Sequence, residues 1–257
     1  MSQVELSFVV PAYNEENYIE NTLETIDNIV IKKNLPYEIV VVNDGSADQT
    51  FAKAKTYARK NGHVRVLSYS KNVGKGYAVK TGFMKATGNV VFFTDSDMEI
   101  DLSKISDYIE ALKHGDIVIA SKRHNASRVA VPISRRILSE CFNALVRILT
   151  GVPLKDTQSG LKAMKKSAFK NIFPRLAVKR YAFDVELLAV AHLYGLKVVE
   201  MPVSIKLEAK FKPIEMWHMF LDLLGIAYRI RILHWYQREL PKKDALQELF
   251  SHVFRET

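Results

Sequence analysis

The chain has 257 residues, of which 48% are hydrophobic and 25% charged; that is enough apolar side chain for a full globular core and excludes a disordered or fibrous chain. The longest stretch without Asp, Glu, Lys or Arg runs only from Leu187 to Leu196, well short of the roughly 20 apolar residues that span a bilayer. Cys141 is the single cysteine and Met1 to Glu5 lacks the basic flank and apolar run of a secretory signal, so an intracellular protein without disulfides is expected.

Charge divides the chain. Residues 1–120 hold 13 Lys and Arg against 16 Asp and Glu, whereas residues 121–257 hold 24 against 12. The whole net charge of +9 therefore comes from the second half. Such asymmetry points to a polyanionic partner for that half: nucleic acid, an anionic membrane surface or a phosphorylated substrate.

In chain order, short β-branched runs at Leu6–Val10, Glu38–Val42, Val64–Leu67, Asn89–Phe93 and Asp116–Ala120 alternate with helical patterns at Glu15–Val30, Ala47–Arg59, Gly76–Ala86 and Leu102–Leu112. This β-α alternation predicts a mainly parallel sheet with right-handed crossovers. A basic loop, Lys122–Arg128, then leads to an amphipathic helix over Ser134–Leu149. Its apolar face carries Ile137, Leu138, Cys141, Phe142, Leu145, Ile148 and Leu149. Past Pro153 the pattern predicts a strand at Ser159–Met164, a helix at Phe183–Leu193 and a strand at Lys197–Val203. From Pro213 to Tyr236 a long helical pattern shows a narrow polar stripe of Glu215, Asp222 and Arg229 on a broadly apolar surface.

Three polar clusters follow the first, second and fourth strands: Pro11-Ala12-Tyr13-Asn14-Glu15, Asn43-Asp44-Gly45-Ser46 and Asp95-Ser96-Asp97-Met98-Glu99. The crossover rule gathers them on the carboxyl edge of the sheet, where such folds bind ligands. Their chemistry suits a nucleoside diphosphate. Tyr13 offers a stacking surface for a base, Asp44 an acceptor for a pyrimidine N–H or ribose hydroxyl, and Asp95 and Asp97 hard oxygen ligands for Mg²⁺ or Mn²⁺. Glu99 continues the alternation. Asn72-Val73-Gly74-Lys75-Gly76 places Lys75 at a helix start favourable to anions. Only a partial G-x-G-x-x-G is present, after the third strand, and no G-x-x-x-x-G-K-[ST] occurs; a dinucleotide oxidoreductase and a P-loop NTPase are disfavoured.

These segments, with Asp156-Thr157-Gln158-Ser159-Gly160-Leu161-Lys162 and Tyr181-Ala182-Phe183-Asp184-Val185-Glu186-Leu187-Leu188, occur in an order that resembles family 2 glycosyltransferases. More narrowly they resemble the polyprenyl-phosphate sugar synthases, most of all the dolichyl-phosphate glucosyltransferases. The resemblance covers residues 5–235. It implies a Rossmann-like GT-A α/β fold, a glycosyltransferase domain over 1–212 (nucleotide-sugar half 1–120, acceptor half 121–212) and an amphipathic helical extension over 213–257. It further implies a nucleotide site of Pro11, Tyr13, Glu15, Asp44, Lys75, Asp95 and Ser96, and a divalent metal on Asp95, Asp97 and Glu99. Glu99 stands where related mannosyl synthases often carry Gln, and N-D-G-S replaces the usual D-D-G-S, which leaves base recognition to Asp44.

Arg123 matches the family's S-R at a strand end, and Lys212 a lysine beside the transferred phosphates. Arg135 and Ser139 lie four apart on one helix face. Together the four form an expected clamp on the acceptor phosphate and leaving diphosphate. A phosphomonoester is mostly dianionic at neutral pH, so it needs no general base; in-line inversion by alignment and charge neutralisation is expected. Asp97 and Arg123 enter this step as catalytic groups. Asp184 is read either as a base or acceptor-orienting group or as structural, with Glu186 capping or pairing with Arg180. The two apolar helices, with Arg229, Arg231, His234, Trp235 and Arg238 near the end of the second, predict in-plane contact with the cytoplasmic side of a membrane; core packing or a homodimer is the alternative. UDP-glucose is the expected donor, with GDP-mannose as the competing one. A soluble transferase acting on a hydroxyl and a nucleic-acid-binding protein are the rival readings; the second fails to explain clustered acids and lacks an RNA-binding signature.

Overall fold

The computed structural model describes residues 4–95, 104–130, 133–158, 160–206 and 213–238. Its strands are β1 (Leu6–Ala12), β2 (Tyr37–Asp44), β3 (Val64–Tyr69), β4 (Val90–Thr94), β5 (Ile117–Ser121), β6 (Arg128–Ala130), β7 (Leu161–Lys165), β8 (Val198–Pro202) and β9 (Ser204–Lys206). The helices are α1 (Ile19–Ile31), α2 (Thr50–Lys60), α3 (Lys75–Lys85), α4 (Ile105–Ala111), α5 (Ile133–Thr150), α6 (Lys166–Phe169), α7 (Phe183–Leu193) and α8 (Pro213–Arg231). Seven strands form one sheet in the order β3-β2-β1-β4-β7-β5-β8, and β7 alone runs antiparallel to its neighbours. β6 and β9 make a separate parallel pair.

Every residue of β1 and β2 is buried, which is why both read as unbroken apolar runs: helices cover both faces of a parallel sheet. The period of two then sorts side chains between two cores. Val9, Val91 and Phe93 pack with Val79 and Phe83 of α3, Leu187 and Leu188 of α7, and Leu223 and Ile226 of α8. Leu6, Phe8 and Val10 pack on the other face with Leu23 and Ile26 of α1 and Ile105 and Tyr108 of α4. Phe8 stacks on Phe92 across the β1–β4 pair, ring centres 4.9 Å apart. Each such fully buried side chain contributes roughly 1.5–3 kcal/mol.

From β1 the chain builds outward to β2 and β3 on one side, and β4 lies on the other. That reversal opens a crevice at the carboxyl ends of β1 and β4. The helices flanking it start later than their apolar periodicity suggests, α1 at Ile19 and α2 at Thr50, because the residues ahead of them stitch two loops together. Three further differences concern the second half. The strand expected from Ser159 runs from Leu161. The short β6–β9 pair was not legible, being three residues per strand. The last long helix stops at Arg231 and His234 adopts a left-handed backbone (φ 47°) before a 3₁₀ turn at Trp235–Gln237. α8 is amphipathic across its width: Leu223, Ile226 and Ile230, with Tyr236, belong to the main core.

Candidate active site

Two loops form the first wall. After β1, the amide of Asn14 (φ 56°) donates to Ser46 Oγ (3.0 Å), and the Asn14 side-chain Oδ1 accepts from the Ala47 amide (2.9 Å). The Glu15 amide donates to Thr50 Oγ1 (2.7 Å) and the Glu16 amide to Asp48 Oδ2 (3.1 Å). Pro11 is buried at the end of β1, while Tyr13, 47% exposed, turns its ring outward. Asp44, at the end of β2, is only 2% exposed. Its carboxylate accepts from the Asn72 side-chain amide (3.1 Å) and from the main-chain amides of Val73 (2.8 Å) and Gly74 (2.9 Å). Asp44 thus shapes the N-x-G-K-G loop from below. Burial, followed by this carboxylate, pushes the neighbouring Tyr69 phenol well above its usual range.

That loop ends on Lys75, whose Nζ lies 2.7 Å from Asp95 Oδ1 just past β4. Both side chains keep about a quarter of their surface open (24% and 28%), so this is a paired yet reachable charge couple at the crevice. The Asp95 amide donates to Gly160 O (3.2 Å), and a Cβ on Gly160 would come within 2.4 Å of Asp95 Oδ2. Gly160, the last residue of D-T-Q-S-G, is therefore pressed against the first aspartate of the acidic cluster. Beneath it lies a pair absent from the sequence reading. Lys162, fully buried in β7, places Nζ 2.8 Å from Asp184 Oδ1 in the first turn of α7. Lys75 and Lys162 both lie over the Phe93 ring, at 5.2 and 5.4 Å from its centre. Tyr181 is half exposed beside them; burial, then the carboxylates of Glu215, Asp95 and Glu15, push its phenol up against the opposing pull of Lys75.

The acceptor side is tied to the same segment. Asp156 Oδ2 accepts from the Lys122 amide (2.9 Å), and Lys122 Nζ donates to Gln158 O (2.9 Å). Arg123 Nη2 donates to Ser139 Oγ (3.1 Å), bringing two of the four clamp candidates together. Ser139 O in turn accepts from Asn143 Nδ2 (2.8 Å), and Asn143 Oδ1 from Thr157 (3.4 Å). Arg135 lies in the first turn of α5. Ser96, Asp97, Glu99 and Lys212 lie outside the described residues. Of the metal candidates, Asp95 is described; its carboxylate, paired with the Lys75 ammonium, is a hard oxygen donor of the kind that suits Mg²⁺ or Mn²⁺.

Some sequence assignments change. Glu186 does not meet Arg180; it is fully buried and bonded to Arg229 (3.5 Å), Tyr236 and the amides of Ala177 and Val178, while Arg180 pairs with Asp222 (3.4 Å). Burial raises the Glu186 carboxyl, opposed by Tyr236, by those amides and by Arg229. Arg229 accordingly turns inward instead of facing a membrane. Arg231 donates to Leu149 O (2.9 Å) and Ile148 O (2.6 Å), closing the carbonyl end of α5. Arg238 donates to Leu233 O (2.8 Å). Within the polar stripe of α8, Arg229 thus pairs inward with Glu186 and Asp222 pairs with Arg180.

The family model for "Glycosyl transferase family 2" matches residues 7–173. The chain belongs to glycosyltransferase family 2. Relatives lie at a consistent distance: dolichyl-phosphate beta-glucosyltransferase from Drosophila melanogaster is 34% identical over 263 residues, covering 94% of this chain and 80% of its own. The protein of the same description from Homo sapiens is 32% identical over 259 residues, covering 93% and 80%. Among solved structures, glucosyl-3-phosphoglycerate synthase from Mycobacterium tuberculosis with Mn²⁺, UDP-glucose and phosphoglyceric acid superposes with a TM-score of 0.64 at 19% identity, over 88% of this chain and 79% of that one. Its complex with Mg²⁺ and UDP gives 0.65 at 19% identity over 88% and 78%. These likenesses establish the GT-A fold for this family 2 glycosyltransferase.

Proposed function

We propose that this glycosyltransferase moves glucose from UDP-glucose to the phosphate of a dolichyl-type polyprenyl phosphate, with inversion. The observation that carries the reading is the 156–160 segment, which touches Asp95 on its donor side and Lys122 and Asn143 on its acceptor side. A donor couple and a cationic clamp therefore share one support at one sheet edge. The relatives named for dolichyl phosphate support the acceptor; the UDP-glucose and Mn²⁺ in the structural neighbour support the donor and metal.

In this reading the base stacks on Tyr13, with Pro11 and Glu15 lining the pocket; Asp44, expected from the sequence to read the base, has its buried carboxylate taken up by Asn72, Val73 and Gly74 and instead fixes the loop that presents Lys75. Lys75 moves from Asp95 to the diphosphate as the donor arrives. Asp95 and Asp97, with Glu99 beside them, would hold Mg²⁺ or Mn²⁺, and Ser96 would face the nucleotide; when bound, the ion neutralises charge on the departing diphosphate. An acceptor phosphate oxygen bonds to the sugar C1 while the C1–oxygen bond to UDP breaks and its electron pair leaves with UDP. Arg123, with Ser139, Arg135 and Lys212, holds the acceptor dianion on the face opposite the leaving group. The nucleophile arrives already ionised. Asp184, paired with Lys162, then supports the floor of the site instead of taking a proton.

The lipid explains the outward apolar residues. Ile137, Leu138, Leu145 and Ile148 on α5, and Trp217, Leu221, Leu224 and Tyr228 on α8, are exposed, and these two helices pack against each other. Among the described residues no helix is long and apolar enough to cross a membrane. We assign these faces to peripheral contact with the cytoplasmic leaflet. The binding part of the reading is tested by melting: UDP with Mn²⁺ raises the melting temperature by an amount that grows with the logarithm of its concentration over Kd, and an oligonucleotide does not. Stabilisation by the oligonucleotide alone would return the basic half to nucleic acid.

A further inference from the structure

Two segments distant in sequence meet on one buried carboxylate. Glu186 Oε2 accepts from the amides of Ala177 (3.0 Å) and Val178 (2.8 Å). Its Oε1 accepts from the Tyr236 hydroxyl and from Arg229 Nη2 (3.5 Å), and Arg229 Nε donates to the same hydroxyl (2.9 Å). One side of the carboxylate thus grips the backbone ahead of α7, and the other grips the end of α8 and the turn after it.

The gripped backbone rests on the donor loop. Lys179 O accepts from the Tyr77 amide (3.1 Å), and a Cβ on Gly74 would lie 2.4 Å from that same carbonyl. A Cβ on Gly76 would lie 2.5 Å from Phe183 Cβ and 2.9 Å from Val178 O. Lys75, between these two glycines, is the residue that reaches Asp95. One turn along α3, Lys80 Nζ donates to Pro174 O (3.1 Å) and Leu176 O (2.8 Å), fastening the same strap a second time. At contacts this close the strap and the start of α3 move together.

We propose that Glu186 is a positioning residue for the donor site, setting the placement of Lys75 through the 177–179 backbone, and that Tyr236 and Arg229 hold Glu186 in the geometry this requires. The inference rests on reading the Lys75–Asp95 edge as the nucleotide-sugar site. It gives the turn after α8 a part in donor affinity. A purely structural Glu186 would lower the folded fraction and affect both substrates alike; a positioning one shifts the donor alone.

The test uses the full chain carrying Glu186→Gln or Tyr236→Phe. The second variant keeps the buried ring and removes only the hydroxyl shared by Glu186 and Arg229, and it decides alone if the first does not fold. Thermal melts verify folding, calorimetry with UDP and Mn²⁺ measures donor-site affinity, and a two-substrate matrix separates the KM values. Loss of hydrogen bonds to a charged group is expected to weaken UDP binding by about tenfold for Glu186→Gln and about threefold for Tyr236→Phe. The KM for the nucleotide sugar rises in step, with that for polyprenyl phosphate unchanged. Wild-type UDP affinity in a folded variant, or an equal rise in both KM values, overturns the inference. Failure of the wild-type chain to bind UDP overturns the site reading itself, and this inference with it.

Discussion

Asp184→Asn separates a structural aspartate from a catalytic base. The partner ammonium of Lys162 is 2.8 Å away with its side chain wholly buried, and the Asp184 side chain is 7% exposed. At that distance an effective dielectric constant of about 20 gives an attraction of roughly 6 kcal/mol. Dehydrating the two ions costs several kcal/mol each, so the pair as a whole sits near break-even. Removing one partner does not: it strands the other charge in the core, at a cost of about 3–5 kcal/mol. Urea denaturation of Asp184→Asn should show that loss, and Lys162→Met/Asp184→Asn should recover most of it, because the stranded charge is gone. Turnover per folded molecule in the double variant should stay within about tenfold of wild type, well above the roughly 10²–10⁴-fold loss that follows removal of a general base. A single substitution costing under about 1 kcal/mol would refute the burial argument. A stable double variant without turnover would instead make Asp184 the base.

Gly76→Ala should destabilise by about 1–3 kcal/mol as an overpacking change, since its Cβ would sit 2.5 Å from Phe183 Cβ; a chemical melt indistinguishable from wild type would contradict the packing. Trp217→Glu with Tyr228→Glu should release the chain from anionic vesicles in sedimentation while leaving its melting temperature nearly unchanged, both residues being more than half exposed (56% and 54%); undiminished sedimentation would move the membrane face elsewhere. Glu38 supplies the pH test. Burial raises its carboxyl, but hydrogen bonds from Ser7 and Thr87 and the Arg65 charge outweigh it and hold the folded value low. A depressed folded value contributes stability that is fully present above the unfolded value of about 4.3 and is lost as pH falls through the folded one. The stability gap between wild type and Glu38→Gln should therefore close in acid, and a gap constant from pH 7 to pH 2 would contradict this.

The first 120 residues were readable because each of the first four strands is followed by a helix and the two periods differ; β1 and β2 read as apolar runs since both faces are covered. The polar clusters were readable as an edge because topology alone puts them there. What escaped were residues whose meaning depends on a distant partner. Lys162 looks like an outward lysine in a short strand, yet β7 lies between β4 and β5 and its ammonium meets Asp184; a charge inside the otherwise apolar Leu161–Met164 run was the available signal. Glu186 finds Tyr236 fifty residues on, beyond any local pattern. Arg229 resembled part of a basic membrane rim, a reading that composition favours and that its inward contact with Glu186 corrects; Arg231 stays exposed while it caps α5.

Transfer from radiolabelled UDP-glucose with Mn²⁺ to a short polyprenyl phosphate, with the free polyprenol and 3-phosphoglycerate run beside it, tests the acceptor itself. A lipid-soluble, mild-acid-labile glucosyl phosphate should form from the phosphorylated lipid alone. Comparable transfer to the free alcohol, or to 3-phosphoglycerate in place of the lipid, would contradict it.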